Sequence, residues 1–146
     1  MLVVDASVLV TALADDGADG LLARRRLRGE VLAAPQLIDV EVASVLRRLN
    51  RSGTLTDARS ADALADLSDL PLRRAEHPAL LRRCWQLRHN LTVYDAVYVA
   101  LAELHDAILL TADRRLATLP GPQCRFELLE SENPDSGNQQ ELAGSR

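Results

Sequence analysis

Short apolar runs alternate with longer helical patterns along this chain, and this alternation restricts its fold more than any other feature. Strands are predicted at Leu2–Val4, Val31–Ala34, Ala107–Leu110 and Arg125–Leu129, with a briefer extended piece at Leu70–Ala75. Helices are predicted between them, over residues 6–13, 18–28, 36–51, 54–68, 78–89 and 93–104. Such alternation predicts the α/β class, with a mostly parallel central sheet flanked by helices as α/β/α layers.

The third predicted helix carries an apolar stripe made by Ile38, Val45 and Leu49, with Val42 beside it. Glu41 falls on this stripe. A carboxylate on the apolar face of a helix is unfavourable unless it is paired or binds a metal. Glu41 is therefore expected to have a partner.

Local signals set the starts of the next two helices. Thr54 is the expected N-cap of the fourth helix, since its hydroxyl can accept a hydrogen bond from a free backbone N–H. Pro78 is expected to begin the fifth helix, because proline favours the first helical turn.

Length and composition indicate one folded domain followed by a tail. The chain has 146 residues, and its 47% hydrophobic fraction is enough for a buried core. Aromatic residues make up only 3%, which argues against the base-stacking platforms of single-strand nucleic-acid binders. The composition becomes polar and acidic near residue 131. We therefore predict a domain over residues 1–130 and a disordered acidic tail over residues 131–146.

The net charge of −4 does not exclude a nucleic-acid partner, because part of the negative charge lies in the tail. All 17 basic residues are arginine, whose planar guanidinium suits phosphate. Arg47, Arg48 and Arg51 follow Glu41 along one predicted helix. They could draw a phosphate backbone toward it, although a solvated helix face is the default interpretation.

The cysteines and histidines form no disulfide or zinc pattern. Cys84 and Cys124 are isolated in the sequence. The three histidines share no ligand spacing, so the histidines are expected at the surface. The apolar start contains Asp5 and lacks a basic leader, and no apolar run reaches membrane-spanning length. These features predict a cytoplasmic protein without membrane attachment.

Four carboxylates occupy positions that suggest a shared site: Asp5, Glu41, Asp95 and Asp113. Asp5 and Asp113 follow predicted strands, and ligands of open α/β sheets bind beyond the carboxyl ends of strands. Clustered carboxylates repel one another and need a cation, and hard oxygen ligands select Mg²⁺ or Mn²⁺. The pattern therefore indicates metal-dependent phosphoester chemistry.

Each carboxylate also has a purely structural interpretation. Asp5 and Asp113 could simply cap the helical turns that follow them. Asp95 lies three residues after Thr92, which is the spacing of a capping box. Glu41 could form an ion pair with one of the arginines.

Other polar and aromatic residues are assigned less specific roles. Ser7 could cap its own helix or hydrogen-bond a site carboxylate, and Thr111 could orient Asp113 or only end a strand. Trp85 and Tyr98 are expected in the core. Asp39, two residues before Glu41, is expected to be solvated.

Four segments together resemble the PIN-domain nucleases, and most closely the VapC toxins of bacterial toxin–antitoxin pairs. They are VVDASVLV, PQLIDVEVASVLRRL, LTVYDAVYVALAE and LLTADRRLA, and their order and spacing cover residues 1 to about 128. The resemblance implies that the domain over residues 1–130 is a PIN-like nuclease with its carboxylates around Mg²⁺ or Mn²⁺. It carries over Asp5, Glu41, Asp95 and Asp113 as catalytic, metal-binding residues, with Ser7 and Thr111 in support.

The resemblance further implies an endoribonuclease that acts as a toxin on transfer or ribosomal RNA. Its expected partners are a small antitoxin and a second copy of the chain. Two alternatives stay open from the residues: an inactive PIN-like module that binds RNA or protein, and another metal phosphohydrolase. The second is disfavoured because Ala6–Ser7 follows Asp5, so a DxD nucleophile motif is missing.

Overall fold

The computed structural model describes residues 1–130. Five parallel strands form one sheet in the order β3-β2-β1-β4-β5. Their bounds are β1 Leu2–Val4, β2 Leu32–Pro35, β3 Leu72–Ala75, β4 Ile108–Thr111 and β5 Arg125–Leu128. The parallel α/β prediction is confirmed, and the piece predicted as briefly extended is a full edge strand. The predicted tail over residues 131–146 lies outside the described residues.

Within residues 1–130, six helices flank the sheet. They are α1 Ala6–Ala14, α2 Ala18–Leu27, α3 Leu37–Arg51, α4 Asp57–Asp69, α5 Leu81–Leu87 and α6 Val93–Leu104, and a 3₁₀ turn covers Leu116–Thr118. Helix α1 packs against α2, α3 and α4, whereas α6 packs on β1, β2 and β4 and against α5. No helix in the described part is long and apolar enough to cross a membrane.

The buried core surrounds the central strands, and β1 and α6 are its most completely buried elements. All three residues of β1 are buried, as are seven consecutive residues of α6, Ala96–Ala102. Asp95 directly precedes this buried run, and α6 packs on β1, β2 and β4, so the packing of α6 sets the position of Asp95.

Two predicted helix starts are wrong. Thr56, not Thr54, caps α4, and its hydroxyl accepts a 3.1 Å hydrogen bond from the Arg59 N–H. Thr54 instead lies in the turn that follows α3, where its N–H donates to the Leu49 carbonyl at 3.0 Å. Residues 78–80 form a turn and α5 begins only at Leu81.

The buried stripe of α3 also differs from the prediction. It consists of Ile38, Val42 and Leu46, which lie four residues apart, so Val45 is only partly buried. The difference is a rotation of the helix by part of a turn, which periodicity alone does not determine when apolar residues stand on two neighbouring faces. Glu41 and Val45 consequently face a pocket rather than the core.

Two further expectations are wrong, those for Trp85 and His77, and Asp39 is ion-paired although its side chain is 42% exposed. Trp85 is 64% exposed, and the Arg88 guanidinium lies 4.8 Å from the centre of its ring. Asp39 is paired with Arg74, with Nε–Oδ2 at 2.7 Å and Nη2–Oδ1 at 2.9 Å. His77 is partly buried, and its Nε2 accepts a 3.1 Å hydrogen bond from the Leu37 N–H at the start of α3.

Candidate active site

Asp5 and Asp113 lie at the carboxyl ends of two adjacent parallel strands. Val4 of β1 is in register with Leu110 of β4, and the Asp5 N–H donates to the Leu110 carbonyl at 3.2 Å. Each aspartate also caps a turn: Asp5 accepts from the Val8 N–H at 3.1 Å, and Asp113 accepts from the Arg115 N–H at 2.8 Å. The capping interpretation thus holds for both residues, but it does not account for their placement side by side.

Glu41 and Asp95 come to the same place from helices. Glu41 stands on α3, and Asp95 stands in the first turn of α6. The Thr92 hydroxyl accepts a 3.1 Å hydrogen bond from the Asp95 N–H, so the predicted helix cap at Thr92 is present. That cap uses the backbone of Asp95 and leaves its carboxylate available for other contacts.

All four predicted carboxylates line one pocket of about 340 Å³, called the acidic pocket below. Its lining consists of Asp5, Ala6, Ser7, Glu41, Ser44, Val45, Asp95, Tyr98, Asp113 and Leu116. Asp5 is buried, with 8% of its surface exposed, whereas the other three carboxylates are partly exposed. The pocket is therefore an acidic depression whose deepest charge is on Asp5.

Ser7 and Thr111 hold the Asp5 carboxylate. The Ser7 hydroxyl donates to Oδ1 at 2.6 Å and accepts from the Ala112 N–H at 3.1 Å. The buried Thr111 hydroxyl donates to Oδ2 and accepts from the Asp113 N–H at 3.0 Å. Both hydroxyls thereby join the end of β1 to the loop after β4, and Asp5 cannot rotate without breaking these bonds.

Glu41 is held by a tyrosine and not by an arginine. The Tyr98 hydroxyl donates to Glu41 Oε2 at 2.5 Å, and Tyr98 is only 3% exposed. No ion pair to Glu41 occurs among residues 1–130, so the arginine interpretation is wrong.

The pocket environment makes two of its carboxylates harder to ionise. Burial raises the pKa of Asp5 above its ordinary value, although hydrogen bonds from Ser7 and Thr111 act in the opposite direction. Burial also raises the pKa of Glu41, and the negative charges of Asp5 and Asp95 add to that effect against the Tyr98 hydrogen bond. A nearby cation would reverse these effects, since it favours the charged form of both groups.

A guanidinium stands between the other two carboxylates. Arg115 Nη2 lies 3.6 Å from Asp95 Oδ2 and 3.5 Å from Asp113 Oδ2. Within residues 1–130 no three His, Cys, Asp or Glu side chains form a ready-made metal-ligand group. The arrangement shows that a positive group fits between Asp95 and Asp113, and that these two side chains are engaged with it.

Sequence reasoning missed two residues of this site, Tyr98 and Arg115. Tyr98 was expected in the core, which is correct for its ring, but a buried tyrosine hydroxyl usually has a hydrogen-bond partner. Its position three residues after Asp95, on the same side of α6, was the available signal. Arg115 lies two residues after Asp113 in a turn whose geometry the sequence does not determine.

Comparison with known proteins identifies the family of this chain. A family model described as the PIN domain matches residues 2–122. Ribonuclease VapC1 of Mycobacterium tuberculosis is 44% identical over 128 residues, which cover 87% of this chain and 96% of that protein.

Two solved structures share the fold. PAE2754 from Pyrobaculum aerophilum superimposes with a TM-score of 0.61 at 26% identity, covering 86% of this chain and 81% of that one. A chain of a toxin–antitoxin complex from Klebsiella pneumoniae gives a TM-score of 0.63 at 18% identity, covering 90% of this chain and 99% of that one. The arrangement of strands and helices described above is thus that of known structures.

Proposed function

The chain belongs to the PIN domain family and, within it, to the VapC ribonucleases, and from this premise we propose that it is a metal-dependent endoribonuclease acting as the toxin of a toxin–antitoxin pair. The observation that carries the proposal is the convergence of Asp5, Glu41, Asp95 and Asp113 on one pocket. Two come from strand ends and two from helices, so local capping alone does not account for the convergence.

The donor set fits Mg²⁺, with Mn²⁺ as a substitute. All candidate ligands are carboxylate oxygens, which hard divalent cations prefer. Arg115 already places a positive group between Asp95 and Asp113, whereas Asp5 and Glu41 have no ion-pair partner within residues 1–130, and both observations support a cation in this pocket. Asp5 and Asp95 are the proposed principal ligands, with Glu41 and Asp113 completing the site once Arg115 moves aside. When bound, the cation would activate a water molecule and offset negative charge on the phosphate.

Other residues of the site orient the carboxylates and the attacking water. Ser7 and Thr111 keep the Asp5 carboxylate in one orientation. Tyr98 holds one oxygen of Glu41, and Glu41 is proposed to orient the attacking water and to accept its proton. Asp113 accepts a hydrogen bond from the Arg115 N–H, and we propose that its carboxylate helps to hold the cation.

The proposed substrate is transfer or ribosomal RNA, and the proposed partner is a small antitoxin. The Klebsiella structure contains a related chain in a toxin–antitoxin complex, which supports a partner of this kind. The position of Arg115 supports inhibition by an antitoxin arginine inserted between Asp95 and Asp113. The cytoplasm is the proposed place of action, since RNA and antitoxin would meet the toxin there.

A homodimer is proposed as the working form. Helices α5 and α6 pack together and carry exposed large apolar side chains, including Trp85 at 64%, Tyr94 at 65% and Leu104 at 63%. Side chains of this kind favour burial against a second copy. Light scattering of the purified chain should give twice the monomer mass.

The function is tested by incubating purified chain with transfer RNA and ribosomal RNA, in Mg²⁺ and in excess EDTA. The expected result is cleavage in Mg²⁺ that stops in EDTA and resumes on adding Mn²⁺. Co-expression with the antitoxin, sought as the product of an adjacent small gene, should suppress this cleavage. Cleavage that persists in EDTA would contradict the metal mechanism. No cleavage of either RNA in Mg²⁺ or Mn²⁺ would favour the inactive binding module.

A further inference from the structure

A second pocket adjoins the acidic pocket along helix α3. It has a volume of about 300 Å³ and is lined by Ser44, Val45, Arg47, Arg48 and Arg51; it is called the arginine pocket below. Ser44 and Val45 also line the acidic pocket, so the two pockets share a wall. A long molecule that places one group in the acidic pocket can therefore continue into the arginine pocket.

The helix aligns the two pockets. Glu41, Ser44, Arg48 and Arg51 recur at intervals of three and four residues, so they follow one stripe of α3. At about 1.5 Å per residue, Arg48 lies roughly 10 Å and Arg51 roughly 15 Å from Glu41 along the helix axis. Charge thus changes along this stripe from negative at the acidic pocket to positive within two further turns.

The three arginines of this pocket are not neutralised. They are exposed, and none of them forms an ion pair within residues 1–130. No acidic residue of the described chain lines the pocket. Elsewhere the same residue type is paired, as with Arg74 on Asp39 and Arg83 on Glu103. The arginine pocket therefore presents guanidinium groups that are available to an anion from outside.

We propose that the arginine pocket is an RNA phosphate-binding subsite, which holds the phosphodiesters next to the one placed in the acidic pocket. This inference rests on the proposed function, because it takes the polymer in the acidic pocket to be RNA. A polyanion is repelled by the carboxylates, and guanidinium groups beside them offset that repulsion through charge-assisted hydrogen bonds. Contacts to phosphate position a strand without reading its bases, so the subsite fixes which bond reaches the carboxylates but adds no sequence preference.

The test measures binding separately from cleavage. A fluorescent single-stranded oligoribonucleotide is titrated in EDTA with protein carrying Asp95→Asn, and anisotropy is recorded at several salt concentrations. One variant adds Arg47→Ala, Arg48→Ala and Arg51→Ala. Its matched control adds Arg25→Ala, Arg28→Ala and Arg82→Ala, which remove the same charge from exposed arginines outside both pockets.

The arginine-pocket variant should bind at least about tenfold more weakly at low salt. Its plot of log K against log[salt] should be shallower by about 2, which is about 0.7 for each of three lost phosphate contacts on a single strand. The control should stay within about threefold of the parent. Replacing the three pocket residues by lysine should retain most of the salt slope, because the charge remains. Circular dichroism melts confirm that every variant is folded.

Two results would overturn the proposal: unchanged RNA affinity in the pocket variant, or equal losses in both alanine variants. If unchanged RNA affinity is accompanied by lost binding of a co-expressed antitoxin, the arginine pocket is a protein-docking surface instead. Failure of the proposed function is seen separately, as absent RNA cleavage by the unmodified chain, and does not depend on the arginine variants.

Discussion

The hydroxyl of Tyr98 on α6 donates a 2.5 Å hydrogen bond to Oε2 of Glu41 on α3, and this contact joins two helices that carry site carboxylates. Tyr98→Phe removes the hydroxyl and little else. The lost bond should destabilise the protein by about 1–2 kcal/mol. It should also lower kcat about tenfold with little change in KM, since Glu41 loses its fixed orientation.

The pH dependence of Tyr98→Phe gives a sharper measurement. The hydrogen bond lowers the pKa of Glu41 against the raising effects of burial and nearby charge. Without the bond, that pKa rises further, so the acidic limb of the rate–pH profile should move to higher pH. Tyr94→Phe, at a tyrosine that is 65% exposed, is the matched control and should leave the profile in place. An unshifted profile in Tyr98→Phe would show that Glu41 does not act as the base.

Replacing Glu41 or Glu103 by glutamine should change the stability of the metal-free protein in opposite directions. The pKa of Glu41 is raised by burial and by Asp5 and Asp95, so the folded state loses stability as pH rises through that pKa. Glu41→Gln should therefore raise the melting temperature at neutral pH by a few degrees, on the order expected for a small domain. The gain should vanish below the ordinary carboxyl pKa and shrink when Mg²⁺ is added.

Glu103 is the opposite case to Glu41, because its pKa is lowered in the folded protein. Burial raises its pKa, but Arg83 at 2.6 Å and the Gln123 N–H at 2.7 Å more than offset this, and the pKa is lowered overall. Its stabilising effect is therefore present at neutral pH and is lost as pH falls through the lowered pKa. Glu103→Gln should destabilise by about 1–3 kcal/mol at neutral pH and by less in acid. Urea melts of both variants across pH in EDTA measure the contrast, and equal signs would contradict the electrostatic assignment.

Arg115 should compete with the divalent cation. Its guanidinium lies 3.6 Å from Asp95 and 3.5 Å from Asp113, so it must move before both carboxylates can bind metal. Arg115→Ala should therefore reach half of the Mg²⁺-induced rise in melting temperature at severalfold lower Mg²⁺, since binding to the folded state stabilises it. Arg114→Ala, next in the chain but paired with Glu130, is the control and should titrate like the parent. A higher Mg²⁺ requirement in Arg115→Ala would show that Arg115 assists the cation.

The sequence predicted the features that local patterns determine. A short apolar run followed by Asp5 or Asp113 marks the end of a buried strand, and parallel strands place such ends at one edge of the sheet. The fold class and the placement of Asp5 and Asp113 followed from this reasoning, whereas Glu41 was singled out by its position on an apolar helix face and Asp95 by the family resemblance. The chemical roles of those residues stay predictions, together with the cation itself.

What the sequence did not determine depends on contacts between distant segments. The rotation of α3 depends on its packing against its neighbours, so Val45 was assigned to the wrong face. Trp85 is exposed on α5, whose buried residues are Cys84 and Leu87. Tyr98 meets Glu41 across 57 positions of sequence, and no local pattern encodes that distance.

Asp95→Asn tests the central claim most directly, because it separates helix capping from metal-assisted catalysis. Asparagine preserves the shape, and the cap bond between the Asp95 N–H and Thr92 does not involve the side chain that changes. Asp19→Asn, in the first turn of α2, is the matched control.

The measurement is RNA cleavage in Mg²⁺ beside thermal melts with titrated Mg²⁺, for the parent and both variants. We expect Asp95→Asn to abolish cleavage, to keep or raise the metal-free melting temperature, and to lose most of the Mg²⁺-induced stabilisation, while Asp19→Asn behaves as the parent. Full cleavage by Asp95→Asn, with an unchanged Mg²⁺ response, would contradict the assignment of the acidic pocket as a metal-dependent nuclease site.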